Sequence, residues 1–209
     1  MSFDVDVQRR LGDVRVEVRF SASAGLTALY GPSGVGKSSV LNMIAGLLKP
    51  DRGRIVVAGQ VLFDADAGID LAPEHRRLGY VFQDGRLFPH LTVRDNLLYG
   101  RRLGDVAGPV AFDEIVDILG VGPLLARRPQ GLSGGEARRV AIGRALLRHP
   151  RALLMDEPLS GVDPARREGV LALIERLRDQ LGLPILYVSH DRNEVDRLAR
   201  SVVEIIPSG

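Results

Sequence analysis

Residues 31–39 read GPSGVGKSS, and this stretch with its flanks constrains the fold more than any other part of the chain. Leu26, Thr27, Ala28, Leu29 and Tyr30 form a short apolar run before it. After it, Val40, Leu41, Ile44 and Leu48 recur at the spacing of one helix face. Strand, glycine-rich turn and helix, in that order, are the setting in which G-x-x-x-x-G-K-[ST] cradles phosphate. Gly31, Gly34 and Gly36 let backbone N–H groups turn inward and let phosphate oxygens come close. The helix that begins near Gly36 aims its positive end at the same anion. Lys37 is placed to reach the β- and γ-phosphates, and the Ser38 hydroxyl to ligate Mg²⁺.

Composition narrows the class. A chain of 209 residues is one large domain or two small ones and can bury a substantial core. No apolar run reaches the roughly 18 residues needed to span a membrane, and the N-terminus has no apolar segment after a basic start. The absence of cysteine excludes disulfides and thiolate metal sites, and it fits a reducing compartment. A net charge of +2 argues against nucleic acid as a partner.

Along the chain, residues 3–20 alternate apolar and polar, which predicts two antiparallel strands with Leu11, Gly12 and Asp13 at their turn. Residues 50–53 read as a turn, 55–57 and 61–63 as two more strands, and 64–77 as loop. A short buried strand over 78–82 ends at Gln83. Helices are predicted around 93–99, 110–119 and 134–148, with no strand between them. Leu153, Leu154 and Met155 form a continuous apolar run, as expected of a central parallel strand. Asp163 and Pro164 open a helix that stops at Gly182. A strand over 185–188, a short helix over 191–199 and a strand over 202–206 close the chain. The expected fold class is α/β, with a central mainly parallel sheet, an antiparallel β-subdomain within about residues 1–63 and a helical subdomain over about 86–150, all in one domain over 1–209.

Other constellations point to the same chemistry. Asp156 and Glu157 end the apolar run beside the phosphate loop, where Mg²⁺ needs a ligand; Asp156 is assigned to the metal and Glu157 to polarising the attacking water. The alternative is a pair of carboxylates that merely cap the next turn of the chain. Ser133, Gly134, Gly135 and Glu136 open a helix and offer a second anion-binding terminus, or else a simple capping box. A second phosphate-binding terminus in a chain with one triphosphate loop is explained if it serves a nucleotide held by another copy, in a head-to-tail dimer. His190 and Gln83 each end a strand at the same sheet edge, the latter able to bind Mg²⁺ or water through its amide. Arg86, Leu87, Phe88, Pro89 and His90 read as a docking groove or as a buried loop.

In order, the chain carries GPSGVGKS, Gln83, LSGGE, ALLMDE, SGVD and SH. That order resembles the signature of ATP-binding-cassette ATPases, the P-loop nucleotide-binding subunits of ABC transporters, over essentially the whole chain. The resemblance implies that Gly31, Pro32, Ser33, Gly34, Val35, Gly36, Lys37, Ser38 and Ser39 hold the triphosphate of ATP. It makes Gln83 the sensor of Mg²⁺ and of the membrane partner, Glu157 the catalytic base and His190 the switch histidine on the γ-phosphate and water. Leu132, Ser133, Gly134, Gly135 and Glu136 would contact the γ-phosphate of a second copy, and Ser160 to Asp163 would touch the opposite cassette. Two positions depart from the family: Leu11 stands where an aromatic usually stacks on adenine, and Gly161 stands where alanine is commoner.

Residues 79–93 and 131–147 look most like the ATP-binding subunits of molybdate importers, and are also similar to cassettes for sulfate, ferric iron, thiamine and polyamines. The resemblance implies an ATPase on the cytoplasmic face of the inner membrane, docked through residues 86–90 on an integral permease and fed by a solute-binding protein. Molybdate cassettes often continue into a C-terminal anion-binding domain, and the expectation for a chain stopping at Gly209 is that it lacks one or has been cut before it. An export ATPase, a soluble cassette in DNA repair or translation, and a P-loop kinase are the rival readings. The absence of membrane helices, of a second cassette and of a strongly basic charge weighs against the first two, and LSGGE weighs against the third.

Overall fold

The computed structural model describes residues 1–100 and 111–206. Among these residues two five-stranded sheets form, one antiparallel and one parallel. Phe3–Leu11 (β1) and Val14–Ala22 (β2) are the expected alternating pair, with Phe3, Val5, Val7, Val16, Val18 and Phe20 turned to the core. Arg52–Val57 (β4), Gln60–Asp64 (β5) and Ile69–Asp70 (β6) extend that sheet in the order β2-β1-β4-β5-β6.

The parallel sheet has the order β10-β3-β9-β8-β7. Its strands are Leu26–Tyr30 (β3), Leu78–Val81 (β7), Ala152–Asp156 (β8), Ile185–Ser189 (β9) and Ser201–Glu204 (β10). The strands β8 and β9 are buried throughout, which is why they read as unbroken apolar runs. Seven α-helices accompany the sheets among the described residues: Lys37–Ala45 (α1), Pro73–Arg76 (α2), Val93–Leu98 (α3), Phe112–Leu119 (α4), Gly134–Leu146 (α5), Pro164–Gln180 (α6) and Arg192–Leu198 (α7).

Two separate apolar interiors lie against opposite faces of the parallel sheet. One joins the antiparallel sheet, α1 and the residues Leu29, Ala152, Leu154, Leu186 and Val188. The other joins α3, α4, α5 and α6 to Leu26, Leu153, Met155, Ile185 and Tyr187. Adjacent residues of a strand thus enter different interiors, as the period of two requires.

Several sequence expectations need correction. Residues 64–77 are not simply loop: β6 pairs with β5, and α2 presents Arg76. The fully buried Arg76 guanidinium donates to the carbonyls of Met43 and Ile44 (both 2.9 Å) and of Leu71 (2.7 Å), and it pairs with Asp70. It therefore caps the end of α1, adding a donor to the Met43 carbonyl, which also accepts the Gly46 N–H, and one to the Ile44 carbonyl; α1 stops at Ala45, so Leu48 lies beyond the helix. The turn expected over 50–53 gives way early, because Arg52 and Gly53 already pair with Gln8 and Val7. The strand expected over 78–82 ends at Val81, and the last strand runs Ser201–Glu204 rather than 202–206. The start of the helix expected at 110, part of the helical subdomain, and Gly209 lie outside the described residues. No described helix is long and apolar enough to cross a membrane.

Candidate active site

Because the five strands are parallel, their C-terminal ends share one edge, and that edge gathers the sequence-predicted residues. The phosphate loop follows β3, Gln83 lies two residues past β7, Asp156 ends β8, and His190 follows β9.

The loop is shaped before any ligand enters. Gly36 has φ +99°, and a Cβ there would meet the Val16 side chain at 2.6 Å, so only glycine lets β2 pack against the start of α1. Lys37 is nearly buried, and its Nζ donates to the carbonyls of Gly31 (2.8 Å) and Pro32 (2.7 Å), so the ammonium spans the loop from within. Burial holds that ammonium below its ordinary range, while the Glu157 and Asp156 carboxylates pull the other way. Pro32, Ser33, Gly34 and Ser38 are exposed, so the mouth of the loop is open.

Ser38 Oγ donates to Asp156 Oδ1 at 2.8 Å. Burial pushes the Asp156 carboxyl above the usual carboxylate range despite that bond, and nearby Glu157 pushes it further. A hydroxyl and a poorly solvated carboxylate side by side, facing a phosphate loop, are hard oxygen donors that fit Mg²⁺. Among the described residues no cluster of three or more His, Cys, Asp or Glu forms a metal cage, so such an ion would also need phosphate oxygens. The Gln83 amide nitrogen donates to Ser160 Oγ at 3.1 Å.

Glu157 is the first residue past β8, at φ +43°, a conformation uncommon away from glycine. Its Oε1 lies 3.1 Å from His190 Nδ1. The carboxylate and imidazole therefore meet across the ends of β8 and β9, with Tyr30 nearby under the Arg192 guanidinium (5.5 Å). Clefts of about 640 and 560 Å³ open at Tyr30 and His190, the first reaching Gly31 to Ser33 and the second reaching Glu157 and Ser160.

Ser133 caps α5, and both halves of the capping box form: Glu136 N–H donates to Ser133 Oγ (3.3 Å) and Ser133 N–H to Glu136 Oε2 (2.7 Å). The Ser133 N–H bond, with the Ser133 hydroxyl beside it, holds the Glu136 carboxyl below its ordinary range. Leu132 is half-buried against the core, Gly134 is exposed and Gly135 is buried. Asp163 caps α6 by accepting from Ala165 N–H, and Gly161 takes φ +69°, which suits glycine better than alanine.

Two side chains join the site without a local motif to announce them. Arg138, on α5 and almost wholly buried, donates to the carbonyls of Phe82 (2.6 Å), Gln83 and Ser160 (3.4 Å). It ties the helix opened by Ser133 to the segments carrying Gln83 and Ser160. Tyr80 O–H donates to Asn42 Oδ1 (3.0 Å) and reaches Asp156 Oδ2 at 3.4 Å; burial keeps its phenol protonated well above the usual range. Its ring stacks on Phe82 at 4.0 Å. For Tyr80 the alternation along β7 is a faint signal; for Arg138 no sequence signal exists.

The segment over 86–90, which the sequence leaves open as a docking groove or a buried loop, is partly exposed. Leu87 packs against the core, and Phe88 lies half-buried against Tyr99 (4.2 Å) with the Arg144 guanidinium 5.2 Å from its ring. Asn96, fully buried, accepts from Phe88 N–H (2.8 Å) and donates to the carbonyls of Phe88, Leu91 and Thr92. Arg86, Pro89 and His90 face solvent. At the other end of the site Leu11 and Val14 pair across the β1–β2 turn and are exposed, giving an aliphatic surface two residues from the Val16 contact with Gly36.

Residues 16–160 match the profile of the ABC transporter family. The chain is 59% identical over 197 residues to a molybdenum import ATP-binding protein of Paramagnetospirillum magneticum, and 58% identical over 203 residues to one of Rhodospirillum rubrum. These matches cover 94% and 97% of this chain but 54% and 55% of those proteins, so the chain spans about half the length of the curated relatives it matches. Among solved structures, a Clostridium perfringens protein described as part of the ABC transporter complex cbiONQ superposes with a TM-score of 0.81 at 25% identity, over 97% of this chain and 84% of that one. A dimeric post-hydrolysis ATP-binding cassette bound to ADP and Pi superposes with a TM-score of 0.75 at 26% identity, over 98% of this chain and 94% of that one.

Proposed function

Since the chain belongs to the ABC transporter family, we propose that it hydrolyses ATP in a head-to-tail pair of cassettes to drive uptake of a molybdate-like oxyanion. The observation that carries this reading is the meeting of the Ser38–Asp156 pair and the Glu157–His190 pair at the edge that bears the phosphate loop.

In this reading the loop over 31–39 and the positive end of α1 hold the triphosphate, and the Lys37 ammonium is drawn from its two carbonyls onto the β- and γ-phosphates. Ser38 and Asp156 would hold Mg²⁺, which when bound would supply positive charge against the phosphates. Glu157 orients a water and accepts its proton as the water oxygen bonds to the γ-phosphorus and the bond to the ADP oxygen breaks. His190 keeps Glu157 and the γ-phosphate in register. Leu11 and Val14 offer the base an aliphatic surface instead of a stacked ring. Ser133 to Glu136, with Ser160 and Asp163, serve the nucleotide of the second copy; the dimeric solved neighbour supports that arrangement. In the same reading residues 86–90 face an integral permease supplied by a solute-binding protein, and the cassette works at the cytoplasmic face of the membrane. The names of the relatives support molybdate among the oxyanions.

The test is purification of the tagged chain from detergent-solubilised membranes of its host. The expected result is a stoichiometric integral membrane protein and an ATP turnover that rises when a molybdate-loaded solute-binding protein is added. Soluble partners only, with turnover intact, would remove the transport reading and leave a free ATPase.

A further inference from the structure

Glu194 is a buried carboxylate with no part in the proposed hydrolysis so far. It lies in the first turn of α7, four residues past His190. Three donors converge on it. Tyr187 O–H (2.6 Å) and Ser189 O–H (2.8 Å) reach its Oε2, and the Arg167 guanidinium reaches its Oε1. Burial holds the Tyr187 phenol far above its ordinary range, so it remains a donor. Arg167 also pairs with Asp191 Oδ2 at 2.6 Å, and Asp191 N–H donates to Ser189 Oγ at 3.0 Å.

The residues on both sides of His190 are therefore anchored, Ser189 by Glu194 and Asp191 by Arg167 and by Ser189. His190 itself is left exposed, its imidazole meeting Glu157. Arg167 sits on α6, where its N–H bonds to the carbonyl of Asp163. A charged carboxylate with three donors is a stiff junction, because each bond is charge-assisted or polarised by one that is. We propose that Glu194 is a positioning residue for the ATPase reaction: by clamping Ser189, and through Arg167 Asp191, it fixes the imidazole of His190 against Glu157. The inference rests on the proposed ATPase reading and adds to it a residue outside the nucleotide-contacting motifs.

Glutamine at this position keeps the shape but replaces one acceptor oxygen by an amide nitrogen, which faces either Arg167 or the two hydroxyls. The experiment is steady-state Mg-ATP turnover of E194Q, E194D and Y187F beside the unaltered chain, with ring resonances of its four histidines recorded by NMR. The expected result for E194Q is kcat lower by about tenfold with KM for ATP within about twofold, since Lys37 and the loop still hold the triphosphate. The His190 ring signal should shift or broaden while those of His75, His90 and His149 stay in place. Y187F keeps the carboxylate and removes one donor, so it should give the same pattern more weakly, and E194D should recover part of the lost kcat. A raised KM with unchanged kcat, or equal disturbance of all four histidines, would overturn the proposal in favour of a general prop. If E194Q does not fold, the Y187F pattern decides by the same criteria. Absence of turnover in the unaltered chain would refute the ATPase reading itself, and this inference with it.

Discussion

Lys37 and Asp156 show how single residues carry opposing demands. Lys37 makes two carbonyl contacts within its own loop and, among the described residues, has no carboxylate at bonding distance, so its charge is available to an incoming phosphate. Lys37→Ala should lower ATP turnover by at least about a hundredfold, the usual scale for removing one preorganised electrostatic partner, as a coupled phosphate-release assay would read. Asp156 costs stability when no cation is near. Its proton is bound more tightly in the folded chain than in the unfolded one, so its contribution to stability is greatest in acid and is lost as pH rises through its raised value. Asp156→Asn should raise the melting temperature of the nucleotide-free chain near neutral pH, by about 2–4 °C for each kcal/mol relieved, with the gain vanishing in acid. Mg-dependent turnover should be lost in the same variant. At this scale the sequence is most readable for side chains whose chemistry is set by chain neighbours, as in residues 31–39 and 156–157. Arg138 and Glu194 are not readable there, because their partners lie on other elements and nothing beside them in the chain marks the meeting.

Among elements, α5 and the segment over 86–90 are the informative pair. The periodic helices and the apolar strands are legible because burial imposes a repeat on the sequence, whereas α2 and β6 are too short to show one. A capping box and an anion site are rival readings of the start of α5, and the structure shows that the box forms. Further along α5, Arg138 joins three carbonyls from two other segments. Arg138→Met should strip the guanidinium from the Gln83 and Ser160 carbonyls, while the Phe82 carbonyl keeps the Gly85 N–H. It should cost about 1–3 kcal/mol of stability, read by denaturant unfolding, with a fall in kcat as Gln83 and Ser160 lose their common tie. The sequence offers Phe88 as part of an exposed groove or of a buried loop, and its ring packs on Tyr99 while its backbone is held by Asn96. Phe88→Asp should therefore lower the melting temperature as well as weaken permease capture, whereas His90→Glu should weaken capture alone. Parallel melting and co-purification measurements separate the two.

For the whole molecule, the parallel sheet can be inferred from strand–helix alternation, but its strand order cannot, since nothing in the sequence says that β9 lies between β3 and β8. That order sets His190 between the phosphate loop and Glu157. A second copy is expected to complete the site, so Glu157→Gln should bind Mg-ATP without turning it over and accumulate as a dimer in light scattering; a monomer at saturating Mg-ATP, with or without permease, would oppose the head-to-tail arrangement. The sheet also separates two interiors, and consecutive residues of one strand belong to different ones: Leu153 to the helical side, Leu154 to the side of the antiparallel sheet. One peptide bond thus divides two nearly independent packing problems. Evolution can repack the helical half, residue by residue, while the half built on the antiparallel sheet and α1 keeps its own inventory, and the shared edge need not move for either.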